Sequence, residues 1–91
     1  MPIPDLLREL LTTPGPSGSE TRVAGVWRDA ADAFAEVSTD AMGSSFARVR
    51  GRGEGPTVAI MGHIDEIGIA ITHVEESGLL SFAVIGGYNP E

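Results

Sequence analysis

An imidazole and two carboxylates fall together in Gly62-His63-Ile64-Asp65-Glu66. A neutral imidazole is a good ligand for Zn²⁺ and similar ions. A carboxylate that accepts its second N–H fixes the tautomer and makes the ligating nitrogen more basic. His63 and Asp65 have the spacing for that pairing, because residues two apart on a strand share a face and Ile64 would lie on the other. Glu66 follows directly and is free to turn toward the same pocket or toward solvent. By spacing alone the cluster also fits a set of polar groups that satisfy one another, since a metal site takes three or four protein ligands.

The element that must position His63 is the apolar run from Thr57 to Met61, bounded by Gly55-Pro56 and Gly62. Its length and β-branched content predict a buried strand rather than a helix. His63 is then expected at the strand's C-terminal end, where open α/β sheets collect their ligands.

Upstream, Asp5 is expected to cap a short helix whose Leu6, Leu7, Leu10 and Leu11 form one apolar stripe. Pro14-Gly15-Pro16 breaks it. Ser17, with Glu20 three residues on, has the form of a capping box for a second helix reaching about Phe34. Val23, Val26, Trp27, Ala30, Ala31 and Phe34 recur on its core side, opposite Arg22, Asp29 and Asp32. Alternation from Ala35 to Asp40, a turn at Ala41-Met42-Gly43-Ser44 and a second strand around Phe46, Ala47 and Val49 predict a hairpin. A second hairpin is expected downstream, with Ile69 to Val74 and Leu79 to Ile85 joined at Glu75-Glu76-Ser77-Gly78. His73 lies in it and reads as a surface or paired histidine. Gly51-Arg52-Gly53-Glu54-Gly55 reads as a connection, because it lacks the spacing, the lysine and the following helix of a phosphate-binding loop.

Net charge is −7 and all six basic residues are arginines. That balance argues against a nucleic-acid or anionic-membrane partner, which needs clustered Lys and Arg. Arg48, Arg50 and Arg52 read as a solvated strand face. The absence of cysteine excludes disulfides and thiolate ligands and agrees with a cytoplasmic location. Met1 to Asp5 carries no signal-peptide pattern, and no apolar run approaches membrane-span length.

The wording around His63 carries a resemblance. Gly62-His63-Ile64-Asp65-Glu66-Ile67-Gly68, then Ile71-Thr72-His73-Val74, Gly78-Leu79-Leu80-Ser81-Phe82 and Ile85-Gly86-Gly87, preceded by Leu10-Leu11 and Pro14-Gly15-Pro16-Ser17-Gly18-Ser19-Glu20, resembles the dinuclear-metal aminopeptidases that assemble into tetrahedral dodecamers. Members also carry the names glutamyl or deblocking aminopeptidase, endoglucanase and cellulase M. Where the family's first turn commonly reads Gly-Asn, this chain has Gly43-Ser44.

The resemblance implies an α/β fold: residues 1–66 begin a zinc-peptidase-like catalytic domain and residues 67–91 begin an inserted β-rich dimerisation domain, both incomplete. Members are several times longer than these 91 residues, and Tyr88-Asn89-Pro90-Glu91 brings no closing element, so an N-terminal piece of a longer enzyme is expected. The implied activity is removal of N-terminal residues from peptides with two divalent ions, commonly Zn²⁺ or Co²⁺, in a homo-oligomer built from dimers. By residue-wise transfer, His63 is a ligand of one ion, Asp65 the catalytic carboxylate that orients it, and Glu66 a motif residue without an assigned role. The other ligands and the general base are expected elsewhere, so residues 1–91 alone should be inactive. A non-catalytic oligomerisation or binding piece is the alternative. A glycosidase ranks below both, because adjacent carboxylates cannot flank a glycosidic bond.

Overall fold

A computed structural model describes residues 1–87 and 89 of the chain. The expectation that no element closes the chain after the second hairpin falls on residues 88, 90 and 91, which lie outside the described residues. Two helices come first, α1 at Asp5–Thr12 and α2 at Thr21–Asp32, then two hairpins, β1 (Glu36–Thr39) with β2 (Ser45–Arg48) and β3 (Gly68–Val74) with β4 (Leu80–Ile85). Each hairpin is its own two-stranded antiparallel sheet. The mixture of helix and strand is that of an α/β fragment.

The N-cap of α1 lies one residue earlier than expected. Pro4 is the N-cap and Asp5 the first helical residue, with no side-chain cap bond. Its carboxylate serves the first turn through charge, next to the positive end of the helix dipole. At the other end, Thr12 Oγ1 and Thr13 Oγ1 donate to Arg8 O (2.9 Å) and Glu9 O (2.7 Å), and Glu9 O also accepts from Thr13 N–H (2.9 Å), so both threonines tie into the last turn before Pro14.

α2 corrects the capping box. Glu20 is the N-cap and again no side chain caps the helix. Glu20 Oε1 instead accepts from Gly18 N (2.7 Å), and the Ser17 hydroxyl is engaged elsewhere. Val23 and Ala31 are buried as expected, Val26, Trp27 and Ala30 are half-buried, Ala24 is buried although outside the expected set, and Arg22, Asp29 and Asp32 are exposed. Phe34 departs from the expectation: the helix stops at Asp32, so Phe34 leaves the helical stripe and is 71% exposed.

The first hairpin forms as its alternation requires. Val37 stands opposite Ala47, and Glu36 opposite Arg48, with unlike charges at facing positions. Asp40 Oδ1 closes the turn by accepting from the backbone N–H of Met42 and of Ser44, each at 2.9 Å. Gly43 supplies the left-handed residue there at φ +89°. Arg28 Nη1 donates to Ser45 Oγ (3.2 Å) and ties α2 to this hairpin. In the second hairpin, Gly78 at φ +87° makes the turn, and the register slips between Ile71 and His73, placing a bulge at mid-strand.

The predicted central strand does not form. Residues 55–65 carry no helix, turn or ladder, and Ile60 is 97% exposed. Composition suited the run to a sheet, but a strand exists only by pairing, and among the described residues none lies beside it. The chain spreads accordingly. Its radius of gyration is 17.9 Å, against about 12 Å for a compact domain of this length.

Candidate metal-binding site

With no strand to present it, the His63–Asp65 pair is built by local chain geometry and by a loop 48 residues away in sequence. His63 Nδ1 lies 3.0 Å from Asp65 Oδ1 and 3.1 Å from the Asp65 carbonyl oxygen. Carbonyl and ionised carboxylate oxygens only accept hydrogen bonds, so Nδ1 carries the proton. In the neutral ring the lone pair then sits on Nε2, which has no hydrogen-bond partner among the described residues. The side chain is 86% exposed. This is the protonation pattern of an imidazole ready to ligate, with a carboxylate behind it.

Asp65 uses both of its oxygens. Oδ1 accepts from His63, and Oδ2 accepts from the Ser17 hydroxyl at 2.5 Å. The Ser17 hydrogen bond, and after it that of His63, holds the Asp65 carboxyl below the usual carboxylate range. Asp65 is therefore anionic at neutral pH.

Glu66 faces the other way. Its Oε1 accepts from Gly15 N (3.0 Å), its backbone N–H donates to Gly15 O (3.0 Å), and its carbonyl accepts from Ser17 N (3.1 Å). Pro16 and Glu66 form an isolated parallel bridge. Glu66 is thus a strut between the Pro14–Ser17 loop and the site, with every one of its hydrogen bonds on that loop. His73 is exposed on β3, and among the described residues no three His, Asp or Glu side chains converge as a metal cluster would require. The donor set present is one neutral nitrogen with an oriented carboxylate behind it, which fits a single corner of a metal centre.

Sequence reasoning missed the loop's part in this site. Ser17 carried a competing role as a helix cap, and Gly15 looked like a helix breaker only. The signal was the small Gly15 between two prolines. An added Cβ on Gly15 would lie 2.4 Å from Val23 Cγ1 and 3.3 Å from Val23 Cβ. Val23 is buried and β-branched, with few rotamers to retreat into. Gly15→Ala is therefore expected to push the loop off α2 and loosen its bonds to Glu66 and Asp65, at a cost of about 1–3 kcal/mol, the usual range for overpacking. Faster amide hydrogen exchange at Ser17 and Glu66, with a lowered melting temperature, would register it; wild-type exchange at both amides would contradict it.

Residues 43–91 match the family model of the M42 glutamyl aminopeptidases. Three curated proteins align over nearly the whole chain. Aminopeptidase FrvX of Escherichia coli (strain K12) is 38% identical over 85 residues, which cover 92% of this chain and 23% of that protein. Lysyl aminopeptidase of Pyrococcus furiosus is 33% identical over 92 residues, covering 96% of this chain and 25% of that protein. An aminopeptidase of Acetivibrio thermocellus is 29% identical over 84 residues, covering 91% and 25% respectively. The chain spans about a quarter of the length of these relatives.

Proposed function

The chain belongs to the M42 glutamyl aminopeptidase family, and from that membership we propose that it is part of a metal-dependent aminopeptidase that removes N-terminal residues from peptides. Peptidases of this family are metal-dependent in general. The observation that carries the reading to particular residues is the 3.0 Å contact between His63 Nδ1 and Asp65 Oδ1. It leaves Nε2 available to one of two divalent ions, Zn²⁺ or Co²⁺. When bound, the ions supply polarisation of the scissile carbonyl and a water acidic enough to attack it near neutral pH.

His63 binds one ion through Nε2. Asp65 keeps the proton on Nδ1, and its negative charge offsets the charge gathered at the site. Glu66 holds the N-terminal loop in place and moves no proton. The remaining ligands and the general base come from the rest of the protein, which accords with a chain that spans a quarter of its relatives. In this reading residues 1–66 belong to the catalytic domain, residues 67–91 begin a β-rich dimerisation domain, and dimers build the homo-oligomer. Among the described residues no helix is long and apolar enough to cross a membrane, and a cytoplasmic enzyme fits the cysteine-free composition.

A glycosidase needs two carboxyl groups facing each other across a bond, roughly 5–9.5 Å apart. Here Asp65 and Glu66 are both tied into the protein, one to His63 and Ser17, the other to the Gly15 backbone. The test is a side-by-side assay of the full-length protein on aminoacyl and cellodextrin substrates, before and after chelation and with Zn²⁺ or Co²⁺ restored. Chelator-sensitive aminopeptidase activity is expected; cellodextrin cleavage without it would overturn the proposal.

Asp65→Asn keeps the shape and removes the charge. The amide can offer Nδ1 an N–H where an acceptor is needed, so the tautomer is no longer imposed. Loss of metal affinity or activity of about 10–100-fold is expected, the usual range for changes behind a metal ligand. Unchanged affinity and turnover would reassign Asp65 as structural.

A further inference from the structure

The Ser17 hydroxyl is not explained by helix initiation, since no side chain caps α2. Its bond to Asp65 Oδ2, at 2.5 Å, is instead the outer end of a chain of hydrogen bonds that runs through the carboxylate to His63 Nδ1. We infer that Ser17 is a positioning residue for His63, fixing the plane of the Asp65 carboxylate and through it the tautomer and orientation of the imidazole. The inference rests on the reading of His63 as a metal ligand.

A carboxylate held at one oxygen can still rotate about its terminal torsion, which is broad and roughly two-fold. Held at both oxygens by donors on different parts of the chain, it has one orientation. His63 is two residues from Asp65 and moves with it. Ser17 comes from the far side and is fixed independently. Its backbone N–H donates to Glu66 O (3.1 Å), and Ser19 N–H donates to Pro16 O (2.8 Å). Gly15, next but one, receives the Glu66 carboxylate at 3.0 Å and packs where no larger residue fits against Val23.

Space around the hydroxyl is limited from the other side as well. A Cβ on Gly86 would lie 3.4 Å from Ser17 Oγ and 3.3 Å from Ile67 Cγ2, and Gly86 itself is at φ +86°. Gly68 leaves room for Pro16, whose Cβ would be 3.1 Å from a side chain there. The donor is therefore delivered by a loop held against α2, Glu66 and the ends of the second hairpin. On an 86% exposed imidazole, that loop is what the local His63–Asp65 contact lacks: an anchor outside its own segment.

The test uses the full-length protein with Ser17→Ala, Ser17→Thr and His63→Ala. In the metal-free state, ¹⁵N shifts of the His63 ring report the tautomer. Chelator competition gives the Zn²⁺ affinity, and kcat and KM are read separately. Wild type should show the Nδ1–H tautomer. Ser17→Ala should give a tautomer mixture, Zn²⁺ binding weaker by about tenfold, the lower end for changes behind a ligand, and a fall in kcat with KM little changed. Ser17→Thr keeps the hydroxyl and should restore all three.

Wild-type tautomer and affinity in Ser17→Ala would overturn the inference, and so would a loss that threonine does not recover. Should Ser17→Ala not fold, Ser17→Cys offers a similar shape with a weaker donor. A smaller displacement of the same two readouts is then expected, and wild-type values would overturn the inference. His63→Ala separates the two readings: if it binds Zn²⁺ like wild type, the metal reading itself fails, whereas a metal-deficient His63→Ala beside a wild-type-like Ser17→Ala removes only Ser17's role.

Discussion

His63→Ala in the full-length protein is expected to lose one metal ion and more than about 100-fold in activity, above the 10–100-fold that follows from changes behind a ligand. The reason is geometric. Asp65 and Ser17 can orient an imidazole, but neither can replace it: Asp65 lies on the Nδ1 side of the ring, away from the Nε2 lone pair, and Ser17 lies beyond Asp65 at Oδ2. Stability should change little, because the His63 side chain is 86% exposed and its removal opens no cavity. The measurement is metal content by elemental analysis, with turnover and a melting curve from the same preparation. An enzyme with full metal content and full turnover after His63→Ala would remove His63 from the site. Folded protein that has lost both is the expected outcome.

The features that could be read in the sequence were those set by neighbours along the chain. Alternation at 36–39 and 45–48 and the glycines at 43 and 78 gave both hairpins, and the leucine spacing gave α1, because each depends on interactions across a few residues. The His63–Asp65 pairing was legible for the same reason, being a contact two residues apart that survives even without the expected strand. What escaped was non-local. The run at 57–61 has strand composition, yet composition cannot supply a partner strand, and the run stays unpaired. Phe34 continues the helical stripe in the sequence, but α2 ends at Asp32 and carries it out of register.

Ser17 shows a different failure. A serine with a glutamate three residues on is a fair signature of a helix start. Here a distant partner takes the hydroxyl proton, since the Asp65 carboxylate is a charged acceptor and charge-assisted hydrogen bonds are roughly twice as strong as neutral ones. Glu66 repeats the lesson. Its neighbour relation to Asp65 suggested a shared pocket, whereas the Gly15 N–H drew it to the loop. The residues that orient the site were thus visible as types and positions, but their partnerships lie about 50 residues apart in sequence and follow from the docking of one loop on one segment.

Residues 1–91 expressed alone are expected to show no aminopeptidase activity and to self-associate rather than melt as a compact monomer. Among the described residues, the only buried apolar side chains are Val23, Ala24 and Ala31. At about 25 cal/mol per Å² of apolar surface, one valine and two alanines contribute a few kcal/mol at most, against a conformational cost of about 1–2 kcal/mol for every backbone residue ordered. Ile67, Ile69, Ile71 and Val74 are exposed along one strand of the second hairpin and its approach, and Leu80, Phe82 and Val84 along the other, with Leu79 exposed just before it. An isolated two-stranded hairpin is marginal in water, and open edges with apolar faces pair with other copies. The unpaired stretch from Val58 to Met61 adds a further apolar surface with no sheet to join. Size-exclusion chromatography with light scattering, a circular-dichroism melt and a peptidase assay with added Zn²⁺ or Co²⁺ test these points together. Oligomers or aggregates, a broad melt and no turnover are expected. A monomer with a sharp cooperative transition would mean that the chain buries its apolar strands in some other arrangement, and metal-dependent turnover by it would place a whole active site within these 91 residues.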